Sequence, residues 1–401
     1  MVPKLRFSEF NMPWKQTTLG SVSSYAAYGM NSSAIEFDGV NKYIRITDID
    51  DDTREFIPSP LTTPSGKLDN QYLLKKGDIV FARTGASVGK SYLYNEKDGK
   101  LYFAGFLIKF TINKANPYFV YNQIFTEKYR KWVKIHSMRS GQPGINAEEY
   151  KEFEFAAPAL EEQTKIADFL SSVDGKITLL KNQYDLLCQY KKGMMQKIFS
   201  QKVRFKDESG EEFPEWQIMK LGEIAQIKRG ASPRPITDPI WFDSLSNIGW
   251  VRISDVTKSN KYLLKTEQYV SDKGVKKSRL VNSEKIIMSI CATIGKPICT
   301  TFDVCIHDGF VVFESLSTNT DFLYYYLSFI EDNWQRYGQP GTQVNLNVDI
   351  VSNERINIPS LSEQIKISQF LANIDNKLTS KKAELDKLKT WKQGLLQQMF
   401  V

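Results

Sequence analysis

The sequence contains few of the residues that disulfide frameworks and histidine-dependent catalysis require, with four cysteines and two histidines among 401 residues. Four cysteines in so long a chain do not make a disulfide framework. No apolar run reaches the roughly 18 residues of a membrane-spanning helix. The opening residues 1–7 also lack the apolar stretch of a signal peptide. We therefore expect a cytoplasmic protein that has no membrane partner.

Catalytic and cofactor motifs are equally scarce. Cys291, Cys299, Cys305 and His307 have separations that fit no zinc knuckle, and we expect them to be buried strand residues. The loop from Gly85 to Ser91 is one residue too short for a phosphate-binding loop, and no Gly-x-Gly-x-x-Gly occurs. The sequence predicts no catalytic residues, no metal site and no cofactor on this chain.

Charge is nearly balanced but leans positive, with 53 Lys and Arg against 46 Asp and Glu and a net charge of +7. Hydrophobic residues make up 41% and charged residues 25%, as in an ordinary soluble globular protein. A mild positive balance permits a nucleic-acid partner without requiring one.

An internal duplication organises the chain. Pro-Ala-Leu-Glu-Glu-Gln at residues 158–163 returns as Pro-Ser-Leu-Ser-Glu-Gln at 359–364. Residues 43–49 likewise match 250–256, and 86–90 match 292–296, while the stretches between them barely match. The two copies therefore share a scaffold and differ in their surfaces. We predict domains at 1–158 and 201–358, each followed by a helical segment, at 159–200 and 359–401.

The globular parts combine strands and helices. Residues 43–47, 79–82 and 103–110 have the composition of strands, and a helix is expected after Pro117. The predicted fold class is α+β, with two tandem domains joined by two long helices in a pseudo-twofold arrangement.

Both helical segments carry an apolar stripe with a heptad period, which is typical of a coiled-coil seam. Lys191 interrupts the first stripe, and Lys381 and Lys392 interrupt the second. Antiparallel packing would return the second helix toward the first domain. The alternative is an ordinary amphipathic helix on each domain. The predicted seam residues are Ile166, Leu170, Val173, Ile177, Leu180, Leu187, Ile367, Leu371, Ile374, Leu378, Leu385 and Leu388.

The order of these motifs resembles the specificity subunit of type I restriction-modification systems. The resemblance rests on Leu-Arg-Phe at 5–7 with Trp14, their echo at 204–205 with Trp216, and the paired Pro-x-Leu-x-Glu-Gln elements. It covers essentially the whole chain. One departure is Ser283-Glu284, which stands where the first copy has Gly77-Asp78.

The resemblance implies two target-recognition domains, each of which reads one half of a bipartite double-stranded DNA sequence. It also implies that the paired helices act as a spacer and dock two modification subunits. Those partners would carry adenine-N6 methylation with S-adenosylmethionine, and restriction subunits would carry ATP- and Mg-dependent cleavage. This chain would itself be non-catalytic.

Basic residues with interleaved aromatics indicate where DNA is expected to bind. Arginine suits guanine and glutamine suits adenine in the major groove. For each cluster the alternative is a solvated helix face. The candidates are Arg83, Lys90, Lys128, Arg130, Lys131, Lys134, Arg139, Gln142, Lys228, Arg229, Arg234, Lys276, Lys277, Arg279, Lys296, Arg336 and Gln339.

Two other functions stay open at this point. A structural adaptor would hold two protein partners at a fixed distance without reading DNA, and binding to a specific duplex at moderate salt would exclude it. A self-contained methyltransferase-nuclease would bind S-adenosylmethionine unaided.

Overall fold

The computed structural model describes residues 2–337 and 345–401. They form two compact units. The first unit is the chain up to Asn182 together with Ala383–Val401, and the second is Gln183–Lys382. Both long helices are divided between the units, so each unit holds one α+β domain and a part of each helix.

The first domain begins with a strand and ends in a long helix. Its strands are β1 Lys15–Thr18, β2 Ser23–Tyr28, β3 Ala34–Glu36, β4 Lys42–Ile44, β5 Thr62–Pro64, β6 Asp78–Ala82, β7 Ser91–Leu93, β8 Leu101–Phe103, β9 Leu107–Ile112 and β10 Glu154–Ala157. Its helices are α1 Leu19–Val22, α2 Pro117–Gln123, α3 Glu127–His136, α4 Ala147–Lys151 and α5 Leu160–Phe199.

The second domain repeats this order with further short elements. Its strands are β11 Gln217–Lys220, β12 Gln226–Arg229, β13 Gly249–Val251, β14 Tyr262–Leu263, β15 Gln268–Tyr269, β16 Arg279–Val281, β17 Ile286–Ser289, β18 Pro297–Thr300, β19 Val304–Ile306, β20 Phe310–Glu314 and β21 Arg355–Ile358. Its helices are α6 Leu221–Ile224, α7 Ile253–Lys258, α8 Asp272–Val275, α9 Thr320–Phe329, α10 Val348–Asn353 and α11 Leu361–Met399.

Each domain contains a central sheet, and the two central sheets have corresponding strand orders. In the first domain an antiparallel sheet has the order β2-β9-β6-β7, and in the second the order is β12-β20-β17-β18-β14. Beside this sheet, β4 pairs in parallel with β8, and β13 pairs in parallel with β19. The first and last strands of each domain also pair, as β1 with β10 and β11 with β21. The duplication seen in the sequence is therefore a duplication of sheet topology.

Two of the predicted strands are shorter in the structure. Residues 103–110 form two strands, because β8 and β9 belong to different sheets and a turn at Gly105 separates them. The strand predicted at 43–47 ends at Ile44, since the Asp48 carboxylate accepts from the backbone and side chain of Arg45 and bends the chain into a 3₁₀ turn. Cys299 and Cys305 lie buried in β18 and β19, as expected, whereas Cys291 follows β17 and is half-buried.

The long helices pack against each other through the predicted stripe. In the first unit the start of α5, at Ile166 and Leu170, shares a core with the end of α11, at Leu395 and Met399. In the second unit the end of α5, at Ile198, shares a core with the start of α11. The helices are therefore antiparallel, as the order of domains and helices along the chain predicts. Of the predicted seam residues, Ile177, Leu187, Leu378 and Leu388 are half-buried and the others are buried.

Candidate nucleic-acid interface

The repeated motifs of the sequence meet at a buried carboxylate in each unit. Glu162 at the start of α5 accepts from Arg6 Nε at 2.7 Å and from Trp14 Nε1 at 3.1 Å. In the second unit Glu363 accepts from the corresponding side chains, Arg204 and Trp216. Because buried charges are stable only when paired and hydrogen-bonded, Arg, Trp and Glu recur together. These motifs hold the fold and leave recognition to other residues.

The neighbouring glutamine joins the helix to the domain. Gln163 Oε1 accepts from the backbone of Asn116, which caps α2, and its Nε2 donates to the Pro158 carbonyl at 2.9 Å. Gln364 makes the equivalent bonds to Asn319 and Pro359. The Glu-Gln pair thus fixes each domain on the helix that follows it.

The glycine-lysine turns also have a structural reason. Gly89 has φ +85° and Gly295 has φ +79°, the left-handed region that glycine adopts without strain. A Cβ on Gly89 would lie 2.8 Å from Val133, and one on Gly295 would lie 2.1 Å from Trp334. The turn therefore allows a helical element to approach the sheet closely.

Lys90, which follows this turn, is buried at 7% exposure. Its Nζ lies 2.7 Å from the Asp51 carboxylate, and this lysine lowers the pKa of Asp51. A cavity of about 280 Å³ adjoins the pair and is also lined by Arg54 and Arg130. Its basic lining suits an anionic group, with Asp51 already occupying the position next to the lysine. In the second unit Lys296 instead contacts the Thr257 carbonyl at 3.4 Å.

Arg83 lies at the end of β6 between two aromatic rings. Its guanidinium carbon is 5.0 Å from the centre of the Tyr28 ring and 5.9 Å from that of Phe106. Phe106 is 61% exposed and Tyr28 is 43% exposed. The Arg83 Nε is buried without a hydrogen-bond partner among the described residues. Gln142 lies against Gly85, two residues after Arg83, with its Nε2 3.1 Å from the position of a Cβ on that glycine.

The equivalent position of the second unit carries different chemistry. The backbone of Arg83 bonds to Phe106 and Ile145, and the backbone of Ile290 bonds in the same way to Gly309 and Leu346. Isoleucine thus replaces arginine, and glycine replaces the exposed phenylalanine. Tyr28, which precedes Gly29, corresponds to Arg229, which precedes Gly230.

Around Arg229 lie polar and titratable side chains, among them His307 and Asp308, where the first unit has Ala104 and Gly105. Arg229 Nε donates to the Asp308 carbonyl at 2.8 Å, and Ser232 donates to the Asp308 carboxylate, which lowers its pKa. Burial lowers the pKa of His307 and raises that of the Cys291 thiol. The two units therefore present an aromatic-arginine surface and a mixed polar surface at the same place in the fold.

The remaining candidates of the first unit lie on or after α3. Arg130, Lys131 and Lys134 are exposed on this helix, and Lys128 is half-buried. Arg139 bonds to Glu149 and Gln142 is exposed. Most of this cluster is a solvated helix face whose charges reach the surface, as phosphate contacts require.

In the second unit the candidates are more dispersed. Lys276 and Lys277 are exposed after α8, and Arg279 donates to the Arg229 carbonyl. Other basic side chains already pair with acids: Lys228 with Glu314, Arg234 with Asp308, and Arg336 with the buried Glu354. Gln339 lies outside the described residues.

Sequence reasoning missed Tyr28, Phe106, Asp51 and Arg54. Each lies far along the chain from the arginine or lysine it adjoins, and no motif joins them. The one available signal was the contrast between copies, because Tyr28 and Phe106 occupy positions where the second copy has arginine and glycine. A comparison of non-matching positions inside a matching scaffold would have found them.

Comparison with known proteins gives a consistent result. The family described as "Type I restriction modification DNA specificity domain" matches residues 11–188 and again 214–390. The chain belongs to this family of type I restriction-modification specificity subunits. Its role is sequence-specific DNA recognition in such a complex, and the family is in general non-catalytic.

Similar curated proteins occur in Methanocaldococcus jannaschii. The chain is 27% identical over 346 residues to one provisionally named the MjaX type I restriction enzyme specificity subunit, with 81% of this chain and 78% of that one covered. It is 25% identical over 364 residues to the MjaVIII specificity subunit, with 85% and 83% covered.

Solved structures share the fold. The type I restriction-modification S subunit from M. genitalium matches with a TM-score of 0.60 at 16% identity, covering 100% of this chain and 99% of that one. A chain from a study of type I complex assembly matches with a TM-score of 0.59 at 17% identity, covering 96% of each. Among the described residues, no helix has both the length and the apolarity to cross a bilayer.

Proposed function

We propose that each unit of this specificity subunit reads one half of a bipartite duplex DNA target. One observation carries the proposal: the scaffold contacts are duplicated residue for residue, whereas the side chains at Arg83 and Ile290, and at Phe106 and Gly309, differ. A chain that only held partners apart would have no use for different surfaces at equivalent positions.

In the first unit we assign the reading of a base to Arg83. Cation–π contacts with Tyr28 and Phe106 restrict the guanidinium, and a restricted arginine loses less entropy when it binds. Arginine pairs with the O6 and N7 atoms of guanine, and a good pair contributes about 1–3 kcal/mol of discrimination. The exposed basic side chains of α3 would contact phosphates and add affinity without sequence preference.

In the second unit Arg229 is the corresponding candidate. The Asp308 carbonyl accepts from its Nε, and the backbone of Arg229 accepts from Arg279. The Nε contact orients the Arg229 side chain next to Asp308, the residue that follows the half-buried His307.

The test is a binding assay of the assembled complex on a library in which every base of both half-sites is varied. Arg83→Ala should relax preference in one half only, by roughly tenfold at one position. Arg229→Ala should relax the other half. Lys134→Ala is the control and should weaken all sequences equally. If Arg83→Ala leaves every preference unchanged, Arg83 does not read a base.

We further propose that the long helices dock two modification subunits, which bring S-adenosylmethionine chemistry, and that restriction subunits bring ATP and Mg. Each unit leaves apolar helix side chains exposed. Leu179 and Trp391 are 64% and 48% exposed in the first, and Leu186 and Tyr190 are 64% and 50% exposed in the second. Such side chains at the surface of a helix favour a protein partner.

Because the proposal assigns methylation and cleavage to other subunits, the purified chain should neither methylate nor cut DNA. Methyl transfer from labelled S-adenosylmethionine should require added modification subunits. Activity in a preparation that mass spectrometry shows to lack other subunits would contradict the proposal.

The helices would also set the distance between half-sites. Seven residues added to both helices preserve the heptad seam and lengthen each helix by about 10.5 Å. The preferred spacer should then grow by roughly three base pairs, at about 3.4 Å per base pair. The assay measures methylation of duplexes with graded spacers. If the folded insertion variant keeps the original spacer preference, the helices dock partners but do not set the spacing.

A structural adaptor that does not read DNA is the competing function. It predicts that the complex binds all duplexes of equal length alike at moderate salt.

A further inference from the structure

Two of the three lysines that interrupt the apolar stripes, Lys191 and Lys392, are paired across the seam. Lys392 Nζ of α11 lies 2.6 Å from Asp174 Oδ1 of α5, in the first unit. Lys191 Nζ of α5 lies 2.5 Å from Asp375 Oδ1 of α11, in the second. In both pairs the lysine belongs to the end of one helix and the aspartate to the start of the other.

Each aspartate also accepts from a tyrosine of the adjoining domain. Tyr118 of α2 donates to Asp174, and Tyr325 of α9 donates to Asp375 at 2.7 Å. Burial is the main cause that raises the pKa of both tyrosines, so each keeps its proton at neutral pH and acts as a donor. In each unit the aspartate carboxylate therefore connects its own helix to the opposite helix and to the domain.

We propose that these two lysine–aspartate pairs fix the register of the antiparallel helices, and with it the spacer length that the complex accepts. The second half of this inference rests on the proposed function. The first half concerns the helices alone.

The apolar seam does not select one register by itself, because a shift of one heptad brings apolar residues opposite apolar residues again. The charged pairs remove this ambiguity. If the helices shifted by one heptad in either direction, Lys392 would face Lys181 or Ala167. In the same shifts Lys191 would face Lys382 or Ser368. Asp174 would face Leu385 or Met399. Every shifted register places like charges together or leaves the aspartate against an apolar side chain.

The environment makes these pairs effective. The side chains of Lys392 and Asp174 are 18% and 31% exposed, and those of Lys191 and Asp375 are 22% and 25% exposed. Partial burial reduces screening by salt, and a polar residue in a coiled-coil seam specifies register at some cost in stability. Lys392 also lies 5.4 Å from the Phe125 ring and Lys191 5.3 Å from the Tyr325 ring, which adds attraction only in the native register.

The experiment measures register directly by disulfide formation in the full chain. Ile177→Cys with Leu388→Cys reports the native register, and Leu170→Cys with Leu388→Cys reports a register shifted by one heptad. Both sets carry Cys188→Ser to remove the thiol already present on α5. Charge reversal then combines Asp174→Lys with Asp375→Lys. Asp168→Lys, at an exposed position of α5, is the matched control.

The charge reversal should lower the yield of the native crosslink by roughly tenfold, a change that corresponds to about 1.4 kcal/mol. Adding Lys392→Asp and Lys191→Asp should restore it, since the pairs re-form with opposite polarity. Asp168→Lys should have no effect. An undiminished native crosslink in the reversed variant, or no recovery in the compensated one, would overturn the register proposal.

Spacer preference is measured on the same variants in complex with modification subunits. The reversed variant should lose its preferred spacer and the compensated variant should regain it. If crosslinks show a changed register while the spacer preference stays fixed, the register pairs stand and the proposed spacing role of the helices is wrong.

Discussion

The two units use the same internal contacts to support unlike surfaces. Arg6, Trp14 and Glu162 correspond to Arg204, Trp216 and Glu363, and every hydrogen bond of Glu162 to these side chains has its equivalent. The residues that follow β6 and β17 differ, by contrast. Arg83 follows β6 and contacts two aromatic rings, whereas Ile290 occupies the corresponding position after β17.

Sequence identity between the copies therefore identifies structural residues. Residues that match between the copies hold the fold, and residues that differ inside a matching scaffold are the candidates for recognition. The same contrast extends to charge, since Asp51 beside Lys90 corresponds to Lys258, which pairs with Glu267 at 2.5 Å.

The largest expected effect comes from removing the shared carboxylates. Glu162→Ala and Glu363→Ala should each lower the free energy of unfolding of their unit by about 3 kcal/mol, because an arginine and an indole N–H lose their buried acceptor. Denaturant unfolding measures both. The preceding exposed residues serve as controls, and Glu161→Ala and Ser362→Ala should change stability by less than about 0.5 kcal/mol. Clearly unequal losses in the two units would break the equivalence of the scaffolds.

A smaller effect is expected at Asp51, where the units differ in charge. Asp51→Asn removes the partner of the buried Lys90 and leaves a basic cavity open to a phosphate. DNA affinity should rise a few-fold, and the salt dependence should steepen by roughly one phosphate contact. The neighbouring Asp52→Asn is the control and should raise affinity without a comparable change in salt slope. Unchanged affinity and slope in Asp51→Asn would place the cavity away from the DNA.

The smallest effect is a pH dependence confined to the second unit. Burial lowers the pKa of His307 in the folded state, so the unfolded chain binds more protons once the pH falls below the ordinary histidine pKa. Stability of this unit should therefore be constant above about pH 7 and decline as the pH falls below about 6.5. Thermal unfolding at graded pH measures it. His307→Gln should flatten the profile, and an identical slope in that variant would assign the decline to other groups.

Much of the fold follows from the sequence because its signals are periodic or repeated. The heptad stripe predicts α5 and α11, and the order of domains and helices along the chain predicts their antiparallel packing. The duplication predicts two α+β domains. Strand ends were missed where a side chain bends the chain, as Asp48 does at Arg45, or where consecutive strands join different sheets, as at Gly105.

The candidate interface is less accessible to sequence reasoning. Lys90 belongs to a glycine-lysine turn, and the sequence of this turn does not indicate whether the lysine contacts a phosphate or Asp51. Arg83 is recognisable as a candidate from its residue type, but Tyr28 and Phe106 reach it only through the pairing of β2 and β6 with β9. Such contacts depend on tertiary structure that no local pattern encodes.

The central claim, that the two units are independent readers on a common scaffold, is tested most directly by domain exchange. Residues 1–158 are replaced with the matching domain of a relative that has a different target, and methylated sites are mapped in cells that carry the hybrid with its modification subunits. If each unit reads its own half-site, one half of the recognition sequence should change to the relative's, while the other half stays the same. A change in both halves, or in neither, would contradict it.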